Sequence, residues 1–395
     1  MDKQKINKFF CVQPFINTTT RVGGQNNVCC NTVDSNSNLD KESPAEFFNS
    51  DYVKNFRLKL LNGEKLSACG SCHYQERLSG NSQRKQYNAY FNIKDNQTIQ
   101  YYHDILKNLK MLDRKNPIYA EMHVSNLCNL KCLTCFESDS SRFHAENKLL
   151  NISKNPDADY SIFKSDRVRA LETLLTKDLL FLELRGGETF LVPEVKQVLS
   201  NIRPDIAKKI TLMLSTNGTI LPDETWTKIF KKFKRTKVNV SIDAYGDDNH
   251  YIRYPADWKR ILKTIDYLQT HGIKFIITTV VSNLNILLLD KLMKWIQSNQ
   301  YLNYAYVLEE PAHFRPTNLP KSLLDLAMER LHNIDRNNFA NKDTGKDIDN
   351  LIDMCKNPGT AEDWQRFCTE IQMRDKFRKI NIVNVIPEIK EYMNA

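Results

Sequence analysis

The chain has 395 residues, 41% of them hydrophobic and 26% charged, with a formal net charge of +9. That is the composition of an ordinary globular protein with room for more than one domain. No run approaches the roughly 20 apolar residues a membrane-spanning helix needs, and the charge excess permits a nucleic-acid or acidic partner without favouring one. The start, Met1-Asp2-Lys3-Gln4-Lys5-Ile6-Asn7-Lys8, lacks the apolar core of a signal peptide, so a cytoplasmic protein is expected. Thiols stay reduced in that compartment. The clustering of the 10 cysteines therefore points to metal rather than to disulfides.

Residues 1–115 are loop-rich, with a polar stretch at 31–41, a helical pattern over 44–61, and Cys11, Cys29, Cys30, Cys69 and Cys72. From 118 onward the pattern changes. Strand-like runs at 118–124, 179–184, 209–215, 237–242, 274–280 and 303–308 alternate with helical ones at 163–176, 195–202, 224–233, 258–270 and 286–297. Such alternation predicts parallel pairing through right-handed crossovers. The expected fold is α/β, a partial (β/α)6 TIM-like barrel, with a loop-rich metal-binding domain before it and a helical extension after it. Helical patterns at 322–334, 348–355 and 362–377 form that extension, and the expected domains are 1–115, 116–315 and 316–395. The basic run from Lys231 to Lys237 reads as a solvated helix end. Cys355 and Cys368 read as ordinary buried residues.

Cys128, Cys132 and Cys135 stand at C-x3-C-x2-C spacing in the loop after the first of these strands. A parallel barrel carries its chemistry on the loops at the carboxyl ends of its strands. A tetrahedral zinc site takes four protein ligands, and no fourth cysteine or histidine follows closely. Three thiolates on a four-iron cluster leave one iron open, an arrangement for reaction rather than scaffolding.

Three further motifs end strands. Arg185-Gly186-Gly187-Glu188 follows the second, where two glycines let backbone run close to a ligand; alone it is a turn. Ser215-Thr216-Asn217-Gly218 follows the third and is equally an Asn-Gly turn. Alternation places Ser241 and Asp243 on one face at the end of the fourth, fit to hydrogen-bond a ribose or to cap the next loop.

With these motifs in these places, the region resembles the radical S-adenosylmethionine (SAM) superfamily. The resemblance implies that Cys128, Cys132 and Cys135 hold a [4Fe–4S] cluster whose fourth iron is chelated by SAM. Gly186, Gly187 and Glu188 then match the motif contacting the methionine amino group, and Asn217, Ser241 and Asp243 lie near the cosubstrate. Thr189 replaces a frequent proline. Thr134 stands where an aromatic often faces the adenine, with Phe136 two residues on. The implied reaction begins with reductive cleavage of SAM to a 5′-deoxyadenosyl radical that takes hydrogen from substrate.

Cys11, Cys29, Cys30, Cys69 and Cys72 form a second constellation, for which spacing alone leaves zinc and an iron–sulfur cluster close to even. The run Cys11-Val12-Gln13-Pro14-Phe15-Ile16, the Gly23-Gly24 turn, and Cys69-x2-Cys72 with Glu76, Gly80, Ser82 and Arg84 resemble the twitch domain, a shortened relative of SPASM. That resemblance implies an auxiliary [4Fe–4S] cluster. Four protein ligands would close it for electron transfer, and three would leave an iron for substrate. Either Cys29 or Cys30 is the spare, with Cys30 slightly preferred for that part. The family implies an external electron donor such as flavodoxin or ferredoxin and, by analogy, a peptide or protein substrate ahead of a small molecule or nucleotide. A non-enzymatic zinc protein binding nucleic acid or a protein partner is the rival reading.

Overall fold

The structure, a computed structural model, describes residues 8–32, 35–80, 82–91, 116–160 and 164–393. Residues 1–7, which carry the signal-peptide argument, and Phe163, the expected start of one helix, lie outside them. The chain divides into two compact units, Met1–Asn126 with Asp159–Leu214 and Asp223–Thr236, and Leu127–Ala158 with Ser215–Pro222 and Lys237–Ala395.

The first unit carries strands β1 (Asn17–Thr20), β2 (Asn26–Asn27), β3 (Tyr119–His123), β4 (Phe181–Arg185) and β5 (Thr211–Thr216), in the spatial order β2-β1-β3-β4-β5. β3, β4 and β5 pair in parallel, with Glu121 opposite Glu183 and Phe181 opposite Thr211. Alternation divides their side chains. Ala120, Met122, Leu182, Leu184, Leu212 and Leu214 are fully buried on one face; Tyr119, Glu121, His123, Phe181, Glu183 and Arg185 share the other. Helices Lys164–Leu174, Pro193–Asn201 and Glu224–Lys232 pack side by side, with the Trp226 ring 5.0 Å from Phe190.

β1 and β2 are absent from the sequence reading, which starts the sheet at 118. β1 pairs in parallel with β3, Asn17 against Tyr119, so the sheet continues across residue 115. Its sequence, Asn-Thr-Thr-Thr, has no apolar alternation, yet all four residues are buried. Local hydrogen bonds make that tolerable: Thr18 Oγ1 donates to Pro44 O and Thr20 Oγ1 to Asn26 Oδ1.

The helical pattern over 44–61 resolves into two helices, Pro44–Phe48 and Asp51–Leu61, each begun by a serine. Ser43 forms a reciprocal capping box with Glu46, and Ser50 accepts from Val53 N. Phe10, Val12, Phe15, Ile16, Phe47, Val53, Phe56 and Leu60 build a local apolar core there. Arg57 is buried at its edge, donating to Pro14 O and Phe48 O.

The second unit carries β6 (Arg235–Ser241), β7 (Lys274–Val281) and β8 (Asn303–Val307), all parallel. Helices Trp258–Thr270 and Leu289–Ser298 connect them. Three more helices follow, Lys321–His332, Thr344–Cys355 and Ala361–Arg378, within a few residues of the expected tail. Among the described residues no helix is long and apolar enough to cross a membrane.

Candidate functional site

In the second unit the loop bearing Cys128, Cys132 and Cys135 has its backbone tied on both sides. Lys131 N donates to Tyr254 O (2.6 Å) and Leu133 N to Ile252 O (2.9 Å). Ser140 Oγ donates to Leu130 O (2.8 Å), and Arg378 Nη2 donates to Lys131 O (2.8 Å). The same Ser140 caps helix Ser141–Leu149. A loop so held keeps its shape before any ligand arrives, the condition for a preorganised site.

The three thiols lie within electrostatic reach of one another. Burial pushes Cys132 up to about 12, with Cys128 and Asp243 adding to the rise and Arg253 and Arg378 opposing it. Cys135 is raised by burial and by the charges of Cys132, Asp139 and Cys128. Among the described residues no three His, Cys, Asp or Glu side chains converge closely enough to share one ion. Zinc–sulfur bonds of about 2.3 Å draw thiolates within about 4 Å of each other, whereas the ligands of a cubane sit on separate irons and stand wider. Three soft donors on one held loop, within Coulombic reach of one another, are the donor set an iron–sulfur cluster takes.

Arg253 stands against this loop, with Nη1 3.8 Å from Cys132 Sγ and Nε 2.8 Å from Asp243 Oδ2. Asp243 is fully buried, and its Oδ1 accepts from Val280 N (2.8 Å). Both carboxylate oxygens thus face protein groups, which places Asp243 behind Arg253. Ser241 is half-buried, with Oγ 3.5 Å from Thr278 Oγ1. Asn217 Nδ2 donates to Asn129 Oδ1 (2.9 Å) and lies 4.0 Å from Cys128 Sγ. Its Oδ1 accepts from Thr219 N (2.9 Å), and Asn129 Nδ2 donates to Thr219 Oγ1 (2.8 Å). This ring of amides and a hydroxyl fastens the turn after β5 to the cysteine loop. Phe136 is 55% exposed and has not joined the core.

Gly186 and Gly187 belong to the first unit. Gly186 has φ 122°, and a Cβ there would lie 2.2 Å from Ser125 O, so the tight approach requires glycine. Gly187 N donates to Ser125 O (2.7 Å). Glu188 is fully buried, with Oε1 accepting from Phe190 N (3.1 Å).

The first unit also holds the earlier cysteines. Cys11 is raised by burial and by the charges of Cys29, Cys72 and Cys69. Burial lifts Cys29 to about 11, with Cys72 contributing. Cys11 thus feels the other three thiols. Cys30 has a different partner, its Sγ donating to Gln83 Oε1 (3.0 Å), and its thiol is raised by burial, by Glu121 and by Cys29. Glu76, Ser82 and Arg84 form one buried lock, with Arg84 Nη2 2.6 Å from Glu76 Oε2 and Ser82 Oγ 2.6 Å from Oε1. Cys355 and Cys368 are buried and, by burial, lifted to about 12 and about 11.

Sequence reasoning missed Arg253, Asn129, Thr219 and Arg378. Asn129 lies inside the cysteine run and carried a signal; the other three are ordinary in sequence and gain meaning only where the chain returns to the loop.

Residues 122–296 match the family model described as Radical SAM superfamily, so the chain carries a radical SAM domain. That is the domain of SAM-dependent iron–sulfur enzymes, and it implies a [4Fe–4S] cluster and SAM; the α/β fold with its parallel sheet agrees. The antilisterial bacteriocin subtilosin biosynthesis protein AlbA of Bacillus subtilis is 24% identical over 160 residues, 40% of this chain and 32% of that protein. GTP 3′,8-cyclase of Clostridium perfringens is 24% identical over 166 residues, 41% of this chain and 46% of that enzyme. The chain thus spans less than half the length of either relative. Streptococcus suis SuiB bound to precursor peptide SuiA overlays at a TM-score of 0.40 and 17% identity, covering 60% of this chain and 50% of that one.

Proposed function

We propose that the protein is a radical SAM enzyme acting on a peptide or protein in the cytoplasm. When bound, the cluster and cosubstrate would supply reductive cleavage of SAM and hydrogen abstraction from substrate, with the electron from an external donor such as flavodoxin or ferredoxin. Cys128, Cys132 and Cys135 would hold the cluster. Asn217 fixes the loop through Asn129, Asp243 orients Arg253 beside Cys132, and Ser241 offers a hydroxyl to the cosubstrate. Gly186, Gly187 and Glu188 receive its amino group through the backbone.

Cys11, Cys29, Cys69 and Cys72 form the auxiliary site in a twitch-like amino-terminal module, with Cys30 left outside. Four protein ligands close that cluster and give it an electron-transfer role. The reading rests on one observation above the rest: three cysteines on one loop, its backbone tied by hydrogen bonds, inside the region matching the superfamily. The peptide preference rests on analogy with auxiliary-cluster enzymes and on a bacteriocin-biosynthesis relative. A nucleotide substrate is the second reading, favoured by the similarity to GTP 3′,8-cyclase.

Anaerobic reconstitution, iron and sulfide counting, and incubation with SAM and dithionite test the proposal. About eight irons per chain and 5′-deoxyadenosine are expected. About four irons with 5′-deoxyadenosine would remove the auxiliary cluster. Stoichiometric zinc with no iron and no nucleoside would overturn the whole reading.

A further inference from the structure

Behind the cysteine loop lies a buried ion network that none of the assigned roles uses. Glu146, on helix Ser141–Leu149, is 2% exposed. Its two oxygens meet three cations: Lys131 Nζ at 2.9 Å, Arg374 Nη1 at 2.8 Å and Arg378 Nη2 at 2.6 Å. A second carboxylate, Glu370, takes Arg374 at 2.6 Å and His313 Nε2 at 2.8 Å. Asp375 also faces Arg378, but accepts from Tyr251 Oη (2.8 Å) and the Ile382 amide (2.8 Å). The Arg374 guanidinium stacks 4.5 Å over Phe143, and that of Arg378 5.0 Å over Tyr254.

A network of this kind is a poor device for stability alone, because desolvating the charges consumes most of what their attraction returns. Its position suggests another use. Lys131 is the residue before Cys132, and Arg378 grips it twice, directly through its carbonyl and indirectly through Glu146. The positive charge of Arg378 also reaches Cys132. Its Nη1 is buried and makes no hydrogen bond among the described residues.

We propose that Arg378 and Glu146 are positioning residues for the catalytic cluster: the last turn of helix Ala361–Arg378 clamps the loop between Cys128 and Cys132 and sets the charge behind Cys132. The inference rests on the reading that this loop holds a reducible cluster. The cluster's potential and its retention then depend on a residue 246 positions after Cys132 (378 − 132). Positive charge behind a thiolate favours the more negative, reduced state of the group it ligates, and negative charge disfavours it.

The test compares reconstituted wild type with Arg378→Gln, Glu146→Gln and Arg378→Lys, each checked for folding by circular dichroism. The readout is the midpoint potential of the cluster whose electron paramagnetic resonance signal changes on adding SAM, together with the rate of iron loss to a chelator. Arg378→Gln is expected to move the potential more negative and Glu146→Gln more positive. Arg378→Lys should keep the wild-type potential but lose iron several-fold faster, because an ammonium cannot hold the carbonyl and the carboxylate in one fork.

Shifts of the same sign, or none, in folded variants would overturn the charge role. If either glutamine variant fails to fold, Arg378→Lys decides, and wild-type iron loss there overturns the clamp. A wild type that binds no iron defeats the functional reading itself, a result separable from either of these.

Discussion

Arg253 and Cys132 lie 3.8 Å apart, guanidinium to sulfur, although 121 residues separate them in the chain. The arginine is pinned on its other side by Asp243, so a fully buried carboxylate, a guanidinium and a candidate iron-bound thiolate form one line of alternating charge.

Breaking that line has a defined price in stability. Arg253→Leu leaves Asp243 buried without its cation and is expected to cost about 3–5 kcal/mol. Asp243→Asn keeps an acceptor for Val280 N and should be milder. Urea unfolding of the metal-free chain measures both; a loss below about 1 kcal/mol for Arg253→Leu would show that the pair is not holding this region.

Two glycines should respond oppositely to alanine. Gly186→Ala places a Cβ 2.2 Å from Ser125 O at φ 122° and is expected to cost at least about 1–3 kcal/mol and to weaken SAM binding. Gly70, the first residue of helix Gly70–Ser79, has nothing within 4 Å of an added Cβ. Alanine there should be neutral or stabilising by up to about 1 kcal/mol. Thermal unfolding of the two variants gives the comparison, and equal effects would contradict it.

Cys29 and Cys30 are adjacent but differ in surroundings, so serine variants should separate them. Cys29→Ser is expected to lose the auxiliary iron, whereas Cys30→Ser should keep it, since Cys30 bonds Gln83 and is not among the thiols that raise Cys11. Iron counts per chain after reconstitution decide. Loss of iron in Cys30→Ser alone would exchange the two assignments.

Asp347 gives the stability a pH dependence. Burial and the nearby Asp343 raise its carboxyl from 3.8 to about 6. A folded-state value above the unfolded one means the folded chain binds the extra proton, so this contribution is complete below pH 4 and is lost between about pH 4 and 6. With its partial exposure, about 1–2 kcal/mol is at stake. Asp347→Asn should flatten that fall, as seen in unfolding midpoints at pH 4.5 and 7; parallel curves for the two proteins would refute the assignment.

Much of the α/β alternation could be read in advance because its strands and helices have apolar residues at clean periods. Val238, Val240 and Ile277 are buried core, and the expected bounds of helix Trp258–Thr270 match those observed. β1 was invisible for the opposite reason: a strand of asparagine and threonines has no hydrophobic signature, and its burial is supported by hydrogen bonds to Pro44 and Asn26. The cysteine loop was legible from spacing. Its supports were not, because Arg253 and Arg378 acquire their meaning from tertiary return. Ser241 and Asp243 were paired by strand alternation, yet the carboxylate turns into an ion pair while the hydroxyl stays half-exposed.

The parallel pairing of β1 with β3 has a practical consequence for anyone trimming this protein. A construction starting near residue 116 would strip the neighbour from β3, laying bare a row of unpaired amides and carbonyls beside Tyr119 and Glu121. Such an exposed edge invites intermolecular strand addition. The short leading strand is therefore a built-in guard against aggregation, and the amino-terminal segment is solubility insurance for the sheet as much as a holder of thiols.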